Sequence, residues 1–216
     1  MQTIFQSDFK KDEKRKVLEL ERMKKSLELQ LQEMAKTVER QQEMIALAKK
    51  DPLTGLRNRQ EVSDHVNAML RADCEGAFFI MDMDNFKGVN DTYGHMEGDR
   101  VLVRFARALN TVVEEGDIVA RLGGDEFVIF SPGRRDKNEL GMKAQQIIRQ
   151  IERGLVTPGR LLRVTVSIGI ARAPLDGITY EALYANADRA LYFTKNGGKN
   201  GYQFFEDTHQ DPRCRI

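Results

Sequence analysis

Three acidic groups in this sequence stand where they could act on phosphate. Asp82 and Asp84 close the apolar run around AFFIMDM, and Asp125-Glu126 follow a Gly123-Gly124 pair. Carboxylates at the end of an apolar strand are costly to bury unless a cation balances them, and a hard divalent ion is the usual partner. If the glycine turn lies beside the strand, Asp82 and Asp125 converge and leave open positions for phosphate oxygens, as Mg²⁺ sites commonly do. Asp and Gly are equally ordinary turn residues. Spacing alone therefore leaves a solvated turn and a metal site both open. Lys87, just past the acidic strand, and Lys195 and Lys199, around a glycine-rich helix end, are candidate phosphate donors if the fold gathers them. No GxxxxGK[ST] or GxGxxG string occurs, so neither a P-loop nor a dinucleotide fingerprint applies.

These groups need elements to hold them. The spacing predicts a helix over residues 58–71, a buried strand from Ala77 to Met83, and a helix with apolar positions Val101, Leu102, Phe105, Leu109 and Val112. Two short strands, Ile118 to Leu122 and Phe127 to Phe130, flank the GGDE turn as a hairpin. Leu140, Ala144, Ile147, Ile148 and Ile151 mark a further helix face, and Val164, Val166, Ile168 and Ile170 alternate as a strand does. A helix from Tyr180 to Thr194 and a short strand near Tyr202 to Phe205 complete the order, and a frayed tail is expected from Asp207. Helices interleaved with a central hairpin indicate an α/β (α+β) sandwich around a mostly antiparallel sheet.

Residues 1–50 are different in kind. They hold 12 Lys/Arg and 9 Asp/Glu, whereas all 17 glycines and 5 prolines of the chain come later. Val17, Lys24, Leu31, Val38 and Ile45 fall at heptad a, and Leu20, Leu27, Met34, Gln41 and Ala48 at d. Eight of the ten are apolar, the pattern of a coiled-coil stalk that pairs two copies of the chain. One amphipathic helix folded onto its own domain is the plainer reading, but a helix of this length would overhang a small domain. Asp51-Pro52 stops the helix. The expected division is a stalk (1–50), one domain (51–206) and a tail (207–216).

With 34 Lys+Arg against 33 Asp+Glu, the 216-residue chain has no field that would mark a nucleic-acid binder. Two cysteines exclude a disulfide framework. No apolar run approaches the roughly 20 residues of a membrane span, and the first residues lack a signal-peptide pattern. A reducing cytoplasm is the expected compartment.

In order and spacing, DPLTGLRNR (51–59), MDMDNFKGVNDTYGHMEGDRVL (81–102), RLGGDEF (121–127), VTVSIGIA (164–171) and ADRALYFTKNGGKNGY (187–202) resemble the GGDEF-domain diguanylate cyclases of bacteria. The resemblance implies a palm-like domain related to nucleotidyl cyclases, which condenses two GTP molecules into cyclic di-GMP and two pyrophosphates. It implies Mg²⁺, with Mn²⁺ as a substitute, on Asp82, Asp125 and the carbonyl of Met83. Asn90 and Asp99 would read guanine, and the N–H groups of Asn85, Phe86 and Lys87 would cradle the terminal phosphates. Lys195 matches the family's phosphate lysine. Lys199 stands where the family carries Arg, keeping the charge without the bidentate fork. Asp125 would take the proton, assisted by Glu126, and Lys87 joins them among the catalytic groups. Because two half-sites must meet, the resemblance makes a homodimer through the stalk part of the mechanism.

One position departs from the family. An inhibitory product site, RxxD, begins nine residues before the first glycine of GGDEF, where this chain has Glu114-Glu115-Gly116-Asp117. A carboxylate replaces the arginine that would grip the product. Two rival readings come from other classes: a nucleotide receptor without turnover, and a coiled-coil adaptor. The intact GGDEF turn and metal aspartates argue against both.

Overall fold

The computed structural model describes residues 2–155 and 164–208, apart from the side chains of residues 2–14, 17 and 18. It divides into two units, Met1–Ala48 and Lys49–Ile216. The first is one helix, α1 (Gln2–Ala48). Leu20, Leu27, Leu31, Met34, Val38 and Ile45 of the heptad positions are all exposed on it, as are Met23, Leu29, Met44 and Leu47. The a-position Val17 lies outside the described side chains.

In the second unit, β1 (Gly76–Asp84) is the middle strand. It pairs antiparallel with β3 (Glu126–Pro132) on one side and β4 (Thr165–Ala173) on the other. β2 (Ile118–Gly123) pairs antiparallel with β3, and β5 (Gly201–Phe204) adds to β4 in parallel, giving the order β2-β3-β1-β4-β5. The mostly antiparallel sheet is as the sequence led us to expect.

Alternation along β1 serves two cores. Phe79, Met81 and Met83 face one side with Phe127, Ile129 and Ile168, under α3 (Phe86–Tyr93), α4 (His95–Asn110) and α5 (Lys137–Gly154). Phe78 and Ile80 face the other with Val128 and Phe130, under α2 (Arg59–Arg71) and α6 (Tyr180–Asn196). Both faces of β4 are covered as well, which is why even Ser167 and Gly169 on it are buried. Local chemistry sets the helix starts. Asn58, Asp136 and Thr179 each accept a backbone N–H of the first turn, at 3.0, 2.8 and 3.2 Å.

One element was not expected from the sequence, and one expectation needs correction. The stretch before Val101 contains a separate helix, α3, and the chain turns at Gly94 (φ +82°) to begin α4. The tail does not fray at Asp207: residues Phe205–Thr208 form a helical turn, α7, and Asp207 accepts from Lys137 Nζ at 2.5 Å. From His209 onward, with Cys214, the expected tail lies outside the described residues.

Candidate active site at one end of the sheet

Asp82, Met83, Asn85, Phe86, Lys87, Asp125, Glu126, Lys195 and Lys199 sit at one end of the sheet. There β1 ends, β3, β4 and β5 begin, α3 starts and α6 stops. Asp82 is the cross-strand partner of Glu126, which puts the acidic strand end beside the glycine turn. That turn needs its glycines: Gly124 has φ +52°, a left-handed conformation that a Cβ would strain.

The Asp82 carboxylate is 2.7 Å from Lys195 Nζ, in the last turn of α6. Burial pushes the Asp82 carboxyl above the ordinary carboxylate range against the pull of Lys195, and the Asp125 and Glu126 charges push the same way. Crowded carboxylates of this kind are stabilised by a cation. The donors suit a hard ion: Asp82, Asp125 and the Met83 carbonyl are all oxygen, and an ammonium already stands in for a cation at Asp82. Among the described residues no three acidic, His or Cys side chains close into one metal-binding group. An ion here would draw on two carboxylates and complete its shell with substrate oxygens.

β1 leads into α3 through Asn85, whose φ of +60° is tolerated by an asparagine. The free N–H groups of the first turn of α3 begin immediately after it. Lys199 Nζ donates to Asn85 Oδ1 at 3.1 Å, so the second lysine also reaches this end, whereas Lys87 is exposed. Asn90 on α3 lies over Gly98 of α4, where an added Cβ would come 2.0 Å from Asn90 Oδ1. Asp99, next in sequence, is exposed.

Three residues support this end in ways the sequence did not show. Asp84, 2% exposed, accepts from Thr165 Oγ1 at 2.7 Å, Ser167 Oγ at 2.8 Å and the Asn200 N–H at 3.0 Å. It fastens the loop carrying Lys199 to β1 and β4. Its signal was a second acid in an apolar strand, matched by polar Thr165 and Ser167 across the ladder. Arg59 donates to the Leu122 carbonyl at 3.4 Å and lies 3.5 Å from Glu126, steadying that carboxylate from α2. Arg121, 10% exposed, donates through Nε and Nη2 to the Gly124 carbonyl at 3.0 and 2.8 Å and through Nη1 to Asp51 at 3.1 Å. Asp84→Ala should cost about 2–4 kcal/mol of stability, because it leaves buried donors without an acceptor. Urea unfolding measures this, and a loss no larger than that of a surface substitution would refute the fastening role.

At the opposite end, Glu114 accepts from Arg135 and lies 3.7 Å from Lys143. The Asp117 carboxylate is already shared by Ser131 Oγ at 2.6 Å, Lys143 Nζ at 2.5 Å and the Glu114 N–H at 2.8 Å.

An acidic strand end, a glycine turn and two lysines meet at one end of a helix-covered, mostly antiparallel sheet. The family model described as "Diguanylate cyclase, GGDEF domain" matches residues 48–201, and the chain belongs to that family. The bifunctional diguanylate cyclase/cyclic di-GMP phosphodiesterase MucR of Pseudomonas aeruginosa is 39% identical over 170 residues, covering 77% of this chain and 25% of that protein. The response regulator PleD of Caulobacter vibrioides is 36% identical over 163 residues, 72% of this chain and 36% of PleD. The chain therefore spans about a quarter to a third of these relatives. The coiled coil and GGDEF domain of DgcB from Caulobacter crescentus, solved with c-di-GMP, superposes with a TM-score of 0.70 at 28% identity, covering 83% of this chain and 99% of that one. No helix among the described residues is long and apolar enough to cross a membrane.

Proposed function

We propose that this chain is a diguanylate cyclase, each domain binding one GTP and two domains meeting face to face. The observation that carries the reading is the gathering of Asp82, the GGDE turn, Lys195 and Lys199 at one end of the sheet. The 3′-hydroxyl of one GTP forms a bond to the α-phosphorus of the other, the α–β anhydride breaks, and pyrophosphate departs. A second transfer closes the ring.

Asp125 accepts the hydroxyl proton, with Glu126, steadied by Arg59, assisting. The N–H groups of Asn85, Phe86 and Lys87 and the ammonium groups of Lys195 and Lys199 hold the β- and γ-phosphates, and the exposed Lys87 side chain adds positive charge beside them. Asn90 and Asp99 read the guanine edge. Mg²⁺, or Mn²⁺ in its place, held by Asp82, Asp125 and the Met83 carbonyl, supplies charge neutralisation at the phosphates when bound. The exposed apolar face of α1 supports a homodimer that raises the local concentration of half-sites. With Glu114 drawn onto Arg135 and Asp117 fully engaged, we read the RxxD position as closed to product.

The test is incubation of the purified protein with GTP and Mg²⁺ and separation of products by chromatography. Cyclic di-GMP with pyrophosphate is expected. GTP bound without turnover would indicate a receptor, and no GTP binding would leave only the stalk as a functional element. A variant of α4 checks the base pocket independently. Gly98→Ala gains about 1 kcal/mol of helix propensity, yet its Cβ drives into Asn90. GTP affinity should fall roughly tenfold, the loss of about one good hydrogen bond, while the melting temperature holds. Unchanged GTP affinity by calorimetry would remove Asn90 from the pocket.

A further inference from the structure

Lys195 and a metal ion need the same oxygen. Lys195 Nζ lies 2.7 Å from Asp82 Oδ2, the carboxylate assigned above to the metal. An ammonium at that distance blocks the oxygen sterically and repels a divalent ion electrostatically. The other lysine is differently engaged, since Lys199 Nζ donates to Asn85 Oδ1 instead. The Lys195 side chain is 37% exposed and sits at the end of α6 beside Gly197 and Gly198, so it has room to swing. Asp82, by contrast, is only 16% exposed and fixed in β1.

We propose that the Lys195 ammonium is a built-in surrogate for the divalent cation at Asp82, so that metal alone binds this domain poorly and enters together with the triphosphate that draws Lys195 away. This rests on the metal and phosphate roles proposed above. Triphosphate offers Lys195 a stronger anion than one carboxylate does, and its departure bares Asp82 to the ion. Metal and nucleotide thereby assist each other, and the coupling is reciprocal. Without nucleotide the ammonium also offsets part of the repulsion that Asp82 meets from Asp125 and Glu126.

The measurement is Mn²⁺ affinity of the nucleotide-free protein, read from the free-ion electron paramagnetic resonance signal. Lys195→Gln should bind Mn²⁺ about fivefold more tightly than the unmodified protein, the worth of a partly exposed ion pair. Lys195→Arg keeps the charge and should stay near the unmodified value. Lys199→Gln should leave Mn²⁺ affinity unchanged while weakening binding of a non-hydrolysable GTP analogue. With that analogue present, Mn²⁺ affinity should rise more in the unmodified protein than in Lys195→Gln. Equal or weaker Mn²⁺ binding by a folded Lys195→Gln variant would overturn the proposal. Asp82→Asn separates the two levels of the argument. If it binds Mn²⁺ with the analogue as tightly as the unmodified protein does, the metal site itself is misassigned. If Asp82 is needed but Lys195→Gln changes nothing, only the surrogate role falls.

Discussion

Asp125→Ala should lower cyclic di-GMP formation by about a thousandfold or more, near 4 kcal/mol of barrier at 1.36 kcal/mol per tenfold. The side chain combines two proposed duties, a metal bond and acceptance of the hydroxyl proton, and Glu126 assists only the second. The fold should survive, because Asp125 sits half-buried in a turn held through backbone by Arg121 on the Gly124 carbonyl. Asp82→Asn should be as inactive and no less stable. Burial and two acidic neighbours hold the Asp82 carboxyl above its ordinary value of 3.8. The native state therefore binds more protons than the unfolded chain over that window, and loses stability as pH rises through it. At neutral pH the carboxylate is a cost that asparagine removes. Initial rates with melting curves at pH 7 decide the matter, and near-normal turnover in either folded variant would undo the site assignment.

The second large effect concerns the choice of base. Asp99→Ala should reduce kcat/KM for GTP by about a hundredfold and leave ATP use nearly where it was, so the preference shrinks by the same factor. A site that hydrogen-bonds one base rejects its analogue by leaving polar groups unpaired, and removing the acceptor removes the rejection. Asp99 is exposed before substrate arrives, so its full discrimination depends on a base covering it. Comparable kcat/KM values for GTP and ATP in the unmodified protein would refute the reading outright. Equal GTP turnover in Asp99→Ala would move base recognition elsewhere.

What the sequence made legible was the part in which one residue type has one physical use. The GGDE turn between two apolar runs signalled a hairpin and AFFIMDM a buried strand, and the structure has both. The helix expected over residues 58–71 is α2, Arg59–Arg71, with Asn58 as its cap. The α3 helix stayed hidden because its eight residues, FKGVNDTY, bury only Phe86 and Val89, too few points to reveal a period. The roles of Asp84 and Arg121 were hidden for another reason. Asp84 meets Thr165 and Ser167 81 and 83 residues away, and Arg121 meets Asp51 at 70. A sequence shows that such polar residues are present near apolar ones, but pairing across the sheet decides which of them meet.

Arg121 also bears on how such a domain is joined to others. Hydrogen bonds from Thr54 and Arg121 outweigh burial and keep Asp51 below the ordinary carboxylate range, so the pair stays charged throughout the neutral region. The same guanidinium holds the carbonyl of the glycine turn. The start of the domain is thus tied electrostatically to the glycine turn. Any sequence fused upstream, natural or engineered, must deliver its last residues so that Asp51 still meets Arg121. A fusion cut at Leu53 would carry every acidic and basic group of the pocket and still leave that guanidinium with half its partners. A fusion that keeps Asp51 on Arg121 has a fixed point from which to count.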